Sequence, residues 1–159
     1  YGWLVKFFGG VGWTIFLLMH ENYIFMSVMI VVDIMLLYGF YRWKIGLGLE
    51  RTKIDQFFEI LALAVAVGMI SWFAIEGKFG LVPVIESVVV LAEVAGTMLL
   101  ARKFIFGWYS YILMSTLVGV LVIFVNKNSA PVLGILEWAS IYFYIEGIKM
   151  FRKGKEFLT

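Results

Sequence analysis

The stretch "LLYGFYRWK", residues 36–44, closes a long apolar run with clustered aromatic rings, one glycine and two cations. It can be read as an aromatic ligand box, or as a helix arriving at a membrane surface, where tyrosine and tryptophan sit at headgroup level beside lysine and arginine. A looser version, "YFYIEGIKMFRK" at residues 142–153, recurs near the end of the chain. Which reading holds decides how the whole chain is laid out.

Composition favours the membrane. The 159 residues are 63% hydrophobic and only 15% charged, and mean hydropathy is +0.97. A soluble domain is roughly 45–50% apolar, and a chain this short could not hide the excess in a core of its own. The expectation is a protein whose solvent is the lipid bilayer. The absence of cysteine excludes disulfides and thiolate chemistry, and a single histidine, His20, excludes a histidine-rich metal cluster. No dense basic face is present for nucleic acid. No cofactor signature stands out, nor does any enzyme's: "GGVG" at residues 9–12 resembles a phosphate loop only superficially and suits close helix packing instead.

Six segments approach the roughly 20 apolar residues that a spanning helix needs: 1–19, 23–43, 54–75, 82–101, 104–125 and 131–150. Pro83 and Pro131 fall in first helical turns, where a missing amide hydrogen costs least. Ten lysines and arginines lie in alternate connections and at the C-terminal end, against Lys78 and Lys127 opposite them. By the positive-inside rule the C-terminus is cytoplasmic and the protein is a multi-pass inner-membrane protein. Residues 41–44 then read as an interfacial anchor, with Gly39 allowing a close helix crossing. Trp72, Tyr23 and Tyr41, all near span ends, read as belts.

The echo of the opening stretch points to a repeat. Gly39 and Gly147 lie 108 positions apart, and Gly12 and Gly119 lie 107 apart. The first two segments then correspond to the last two, in parallel orientation, with 54–75 as an inverting linker. The fold expected is an all-α polytopic bundle of two three-helix units: residues 1–44, a loop and linker over 45–79, a second unit over 80–153, and a tail over 154–159. The first unit would lack its first helix, which the repeat places ahead of Tyr1.

Polar groups at membrane depth are costly and call for an explanation. Asp33 and Glu93 fall mid-segment, and no lysine or arginine lies deep enough in the sequence to pair with them, so the buried ionisable set reads as purely acidic. Such carboxyls can be protonated and simply bond a neighbouring helix; the alternative is a cationic ligand or protons. Helical spacing sets Glu86, Val90, Glu93 and Thr97 in one line, Trp108, Tyr111 and Ser115 in a second, and Glu137, Ser140 and Tyr144 in a third. Three mixed stripes of hydroxyls, carboxylates and rings describe a solute pocket. Trp13 and Trp138, deeper than the other tryptophans, join it as candidates, although ordinary packing would also place them there. His20 reads as a solvated loop residue.

"LAEVAGTMLLARKFIFGWYSYILMSTLVGVLVI" followed by "LEWASIYFYIEGIKMFRK" resembles the PnuC family of vitamin transporters. There a basic pair precedes a Trp-x-x-Trp helix, and a last helix closes on a tyrosine-glycine-aromatic pattern. Here Arg102 and Lys103 precede Trp108-x-x-Tyr111. Tyr111, Ser115, Thr97 and Phe143 stand where the family commonly has tryptophan, asparagine, glutamine and asparagine. The resemblance implies a SWEET-like architecture, often trimeric. It also implies facilitated diffusion of an unphosphorylated vitamin or precursor, such as nicotinamide riboside or thiamine, trapped by phosphorylation. Trp108, Tyr111, Trp13 and Trp138 would stack the solute, and Ser115, Thr97, Glu93 and Tyr144 would orient it. Asp33 and Glu93 could couple protons. The alternative is a membrane-embedded scaffold or accessory subunit.

Overall fold

The computed structural model describes residues 2–19, 23–46, 51–75, 77, 80–125 and 131–156. Among these residues the chain is all-α: α1 (Gly2–Met19), α2 (Tyr23–Lys44), α3 (Lys53–Ile75), α4 (Leu81–Ala101), α5 (Phe106–Val120) and α6 (Pro131–Glu156). A π-helical turn over Leu121–Val125 continues α5. His20, Lys78, Lys127 and anything ahead of Tyr1 lie outside the described residues.

Among the described residues four helices are long and apolar enough to cross a membrane: α2 over Met26–Lys44, α3, α4, and α5 with its π turn as far as Phe124. The apolar stretch of α1 is the shorter Lys6–Met19, and α6 interrupts its apolar run with Glu137, Glu146 and Lys149.

Helix α4 is the centre of the bundle. One side, Val90, Val94 and Met98, meets Val28, Val32, Met35 and Leu36 of α2 and Phe58 and Met69 of α3. The other side, Ala92 and Leu100, meets Tyr111 and Met114 of α5 and Tyr144 of α6. The stripe expected on α4 therefore divides: Val90 turns towards α2 and α3, while Glu93 and Thr97 are buried and Thr97 reaches α5. The outer face of α3 is aliphatic and aromatic, exposing Phe57, Ile60, Leu63, Val67 and Ile70, as a lipid-facing helix would. Tyr23, Tyr41 and Trp72 are exposed near helix ends, as a belt requires.

The α4–α5 crossing is set by two facing glycines. A Cβ at Gly107 would come within 2.7 Å of the Gly96 carbonyl oxygen, and one at Gly96 within 3.3 Å of the Gly107 carbonyl oxygen. Only hydrogen on both sides lets the backbones approach this closely. Between the two helices the chain reverses through Lys103 at φ 59°. The Lys103 amide donates to Leu100 and the Phe104 amide to Leu99, at 2.9 and 2.8 Å, which closes the carbonyls left open at a helix end.

Within the opening stretch Arg42 departs from its expected role as an anchor, while Tyr41, Trp43 and Lys44 are exposed. Arg42 is fully buried and paired with Asp55 at the start of α3. Tyr38, one turn earlier, donates to Asp55 at 3.1 Å. Thr52 and Asp55 cap α3 reciprocally, the Thr52 amide donating to the carboxylate at 2.7 Å and the Asp55 amide to the threonine hydroxyl at 3.2 Å. Trp43 donates to the Leu100 carbonyl at 2.8 Å. Glu59 joins Arg51 to Arg102, and Arg152 reaches the Tyr109 hydroxyl at 3.0 Å. The ends of α2, α4 and α6 and the starts of α3 and α5 thus share one basic end of the bundle.

The glycines that suggested the repeat do unlike things. Gly119 and Gly147 seat the rings of Trp138 and Trp108, whereas among the described residues no atom lies within 4 Å of a Cβ placed at Gly12. In the "GGVG" run it is Gly10 that makes close packing possible, against the Asp33 carboxylate.

Candidate functional site

Four helices bring one polar-aromatic cluster together on the α5 side of α4. Thr97 uses its hydroxyl proton on the Glu93 carbonyl one turn back, at 2.9 Å. Its oxygen therefore accepts from the Tyr111 phenol at 2.7 Å. The Tyr111 ring stacks on Tyr144 of α6, with centroids 5.4 Å apart and planes 24° from parallel. Trp108 also tilts onto Tyr144, with centroids 6.2 Å apart, and lies against Gly147, where no side chain is in the way. One turn along from Tyr111, Ser115 donates to Glu137 at 2.7 Å and lies 3.1 Å from Ser140.

Helix α1 closes the cluster with two residues. Trp13 donates its indole N–H to the other oxygen of Glu137 at 2.9 Å. The ammonium of Lys6 lies 3.5 Å from Glu93 and 4.8 Å from the centroid of the Tyr111 ring. This overturns the expectation of a purely acidic interior: Glu93, 6% exposed, has a lysine partner, and Asp55 has Arg42. The sequence does carry a signal for Lys6. Lys6, Gly10 and Trp13 are spaced i, i+4 and i+7, which is one helix face, and that face meets the carboxylates.

Of the nine candidate site residues, Trp108, Tyr111, Ser115, Glu93, Thr97, Tyr144 and Trp13 belong to this cluster. Asp33 sits beside it, between α1 and α2. One of its oxygens accepts from Thr14 at 3.3 Å, and it lies within electrostatic reach of both Lys6 and Glu93. Trp138 is elsewhere, 39% exposed on the outer side of Gly119, with its indole N–H directed at the Thr116 carbonyl at 3.4 Å. Expecting it inside failed because depth along a helix does not fix the side on which a ring lies.

Two buried atoms here have no hydrogen-bond partner among the described residues: the indole nitrogen of Trp108 and Oδ1 of Asp33. Buried donors and acceptors are nearly always satisfied, so these two atoms stand out: the Trp108 ring is packed against Gly147 and the Asp33 carboxylate against Gly10. Two apolar-lined hollows, about 210 and 380 Å³, lie instead between α2 and α3 and between α3 and α4. They open on the flank carrying α3, and none of the cluster's side chains lines them. Among the described residues no group of three or more acidic or histidine side chains is placed to hold a metal ion.

These features define an all-α bundle with membrane-length helices and a buried polar-aromatic cluster at its centre. No family model, curated protein or solved structure matches the chain.

Proposed function

We propose that this chain is a membrane transporter of the PnuC type. It would carry a small aromatic vitamin or precursor, nicotinamide riboside- or thiamine-like, by facilitated diffusion, with trapping by a cytoplasmic kinase. The observation that carries the reading is the cluster itself. Tyr111, Tyr144 and Trp108 form a contiguous group of packed rings, and the Trp108 indole N–H beside them is buried without a hydrogen-bond partner among the described residues. A planar solute needs both a stacking surface and a polar group that orients it.

The bonds that cross the two halves of the chain support a reading of alternating access. Lys6–Glu93 and Trp13–Glu137 join α1 to α4 and α6. Thr97–Tyr111, Ser115–Glu137 and the Tyr111–Tyr144 stack lie wholly within α4–α6. Rocking one half against the other breaks the first pair and leaves the rest of the site assembled. In this reading the protein resides in the inner membrane with its basic end cytoplasmic, and the family's trimer is its assembly.

A second reading, a scaffold or accessory subunit, is favoured by one observation: Glu137, Ser115, Thr97 and Tyr111 already bond one another. Uptake by proteoliposomes, with tryptophan quenching across nicotinamide riboside, thiamine and riboflavin, separates the two. Transport predicts quenching by at least one of them and loss of its uptake in Trp108→Ala. Uptake surviving that substitution sinks the proposed site. No quenching by any of the three leaves the scaffold.

A further inference from the structure

The ammonium of Lys6 occupies a place built for a cation. On one side it has the Glu93 carboxylate at 3.5 Å, and on another the face of Tyr111 at 4.8 Å. A carboxylate with an aromatic face is the pairing by which proteins hold organic ammonium and ring cations. The two members of the pair are unequally fixed. The Glu93 side chain is 7% exposed, while that of Lys6 is 23% exposed, on a flexible four-carbon stem that can carry its charge outward.

Charge is also short on the positive side. Glu137 and Asp33 both lie within electrostatic reach of this pair, so among the described residues three carboxylates share one ammonium. Glu137 is held by the neutral donors Trp13 and Ser115. Asp33 is 8% exposed and keeps one oxygen without a partner among the described residues. In a low-dielectric interior, carboxylates in excess of cations either take up a proton or favour the entry of a further positive charge.

We propose that Lys6 is a tethered competitor: its ammonium fills the Glu93–Tyr111 cation site when no solute is bound, and an organic cation must displace it. Lys6 thereby sets the charge selectivity of the site and keeps the site shut when empty. This rests on the reading of the cluster as a solute site. A resident competitor lowers apparent affinity by the fraction of time the site is blocked, so removing it should tighten binding of cations and not of neutral rings.

The probes are 1-methylnicotinamide, a permanent ring cation, and nicotinamide, nearly the same ring without the charge. Binding to the purified chain is read by tryptophan quenching. In Lys6→Met the dissociation constant for 1-methylnicotinamide should fall about tenfold, as for a site blocked roughly nine-tenths of the time. Nicotinamide should be unaffected, and Lys6→Met/Glu93→Gln should lose the gain. Equal tightening for both probes, or none for either, overturns the proposal. A second variant covers the case in which Lys6→Met folds poorly. Millimolar n-butylammonium should raise the unfolding midpoint of Lys6→Ala, but not that of wild type or Lys6→Ala/Glu93→Gln, and a flat response in Lys6→Ala also overturns the proposal. If both arms succeed while no vitamin is taken up, the transport reading alone fails. If uptake is present and both arms are flat, this inference alone fails.

Discussion

Among the described residues two ion pairs have a buried carboxylate, and they are built in opposite ways. Asp55 at the basic end is saturated: Arg42, Tyr38, and the amide and hydroxyl of Thr52 all donate to it. Both side chains of that pair are fully buried. Glu93 at the centre has one carboxylate partner among the described residues, the Lys6 ammonium at 3.5 Å, and the Lys6 side chain is 23% exposed. A buried charge with every lone pair answered is a fastener, because moving it would break several bonds at once. A buried charge with one loose partner can exchange that partner, which is what a binding site must do.

Removing one member of each pair tests that contrast and should give the largest effect. Asp55→Asn leaves Arg42 buried without its countercharge and removes most of the capping of α3, so unfolding in mixed detergent–SDS micelles should show a loss of about 3–5 kcal/mol. Glu93→Gln keeps a polar side chain in place and leaves Lys6 free to move outward, so the loss should stay near about 1–2 kcal/mol. Equal losses would erase the distinction between fastener and site.

The same contrast explains what the sequence revealed. Apolar length located the helices, and helical spacing brought Trp108, Tyr111 and Ser115 together with Glu137, Ser140 and Tyr144, because residues three and four apart must share a face. The sides chosen by Val90 and Trp138 were not legible, since they depend on which helix lies opposite. Lys6 and Arg42 were missed for a related reason. A cation near a helix end looks like an interfacial residue until its countercharge is placed, and Asp55 and Glu93 come from other helices. Thr52-x-x-Asp55 and Tyr38–Arg42 are local spacings, but that the two sets meet depends on how α2 and α3 pack.

Smaller changes sharpen the central site. Gly107→Ala puts a methyl against the Gly96 carbonyl oxygen, and overpacking of this kind costs about 1–3 kcal/mol. Because α5 must move away from α4, it should also weaken the Thr97–Tyr111 bond and shift Trp108 emission. Tyr111→Phe removes that hydrogen bond while keeping the stack on Tyr144. Its stability loss should be about 1 kcal/mol, smaller than that of Gly107→Ala. A larger loss would mean that the phenol, not the ring, holds α5 to α4.

The smallest expected effect lies at the basic end, and its sign is the informative part. Lys103 sits at φ 59°, where a residue with a side chain costs about 1–2 kcal/mol. Lys103→Gly removes that strain. It also loosens the unfolded chain, at about 0.5–1 kcal/mol, and gives up the approach of the ammonium to the Trp43 ring at 5.8 Å, worth about 0.5 kcal/mol near a surface. The terms nearly cancel, so the net should be a gain of under about 1 kcal/mol in the same micelle unfolding experiment. A clear loss would show that the Lys103–Trp43 contact, like Arg42–Asp55, belongs to the fastened end of the bundle and outweighs the backbone strain it imposes.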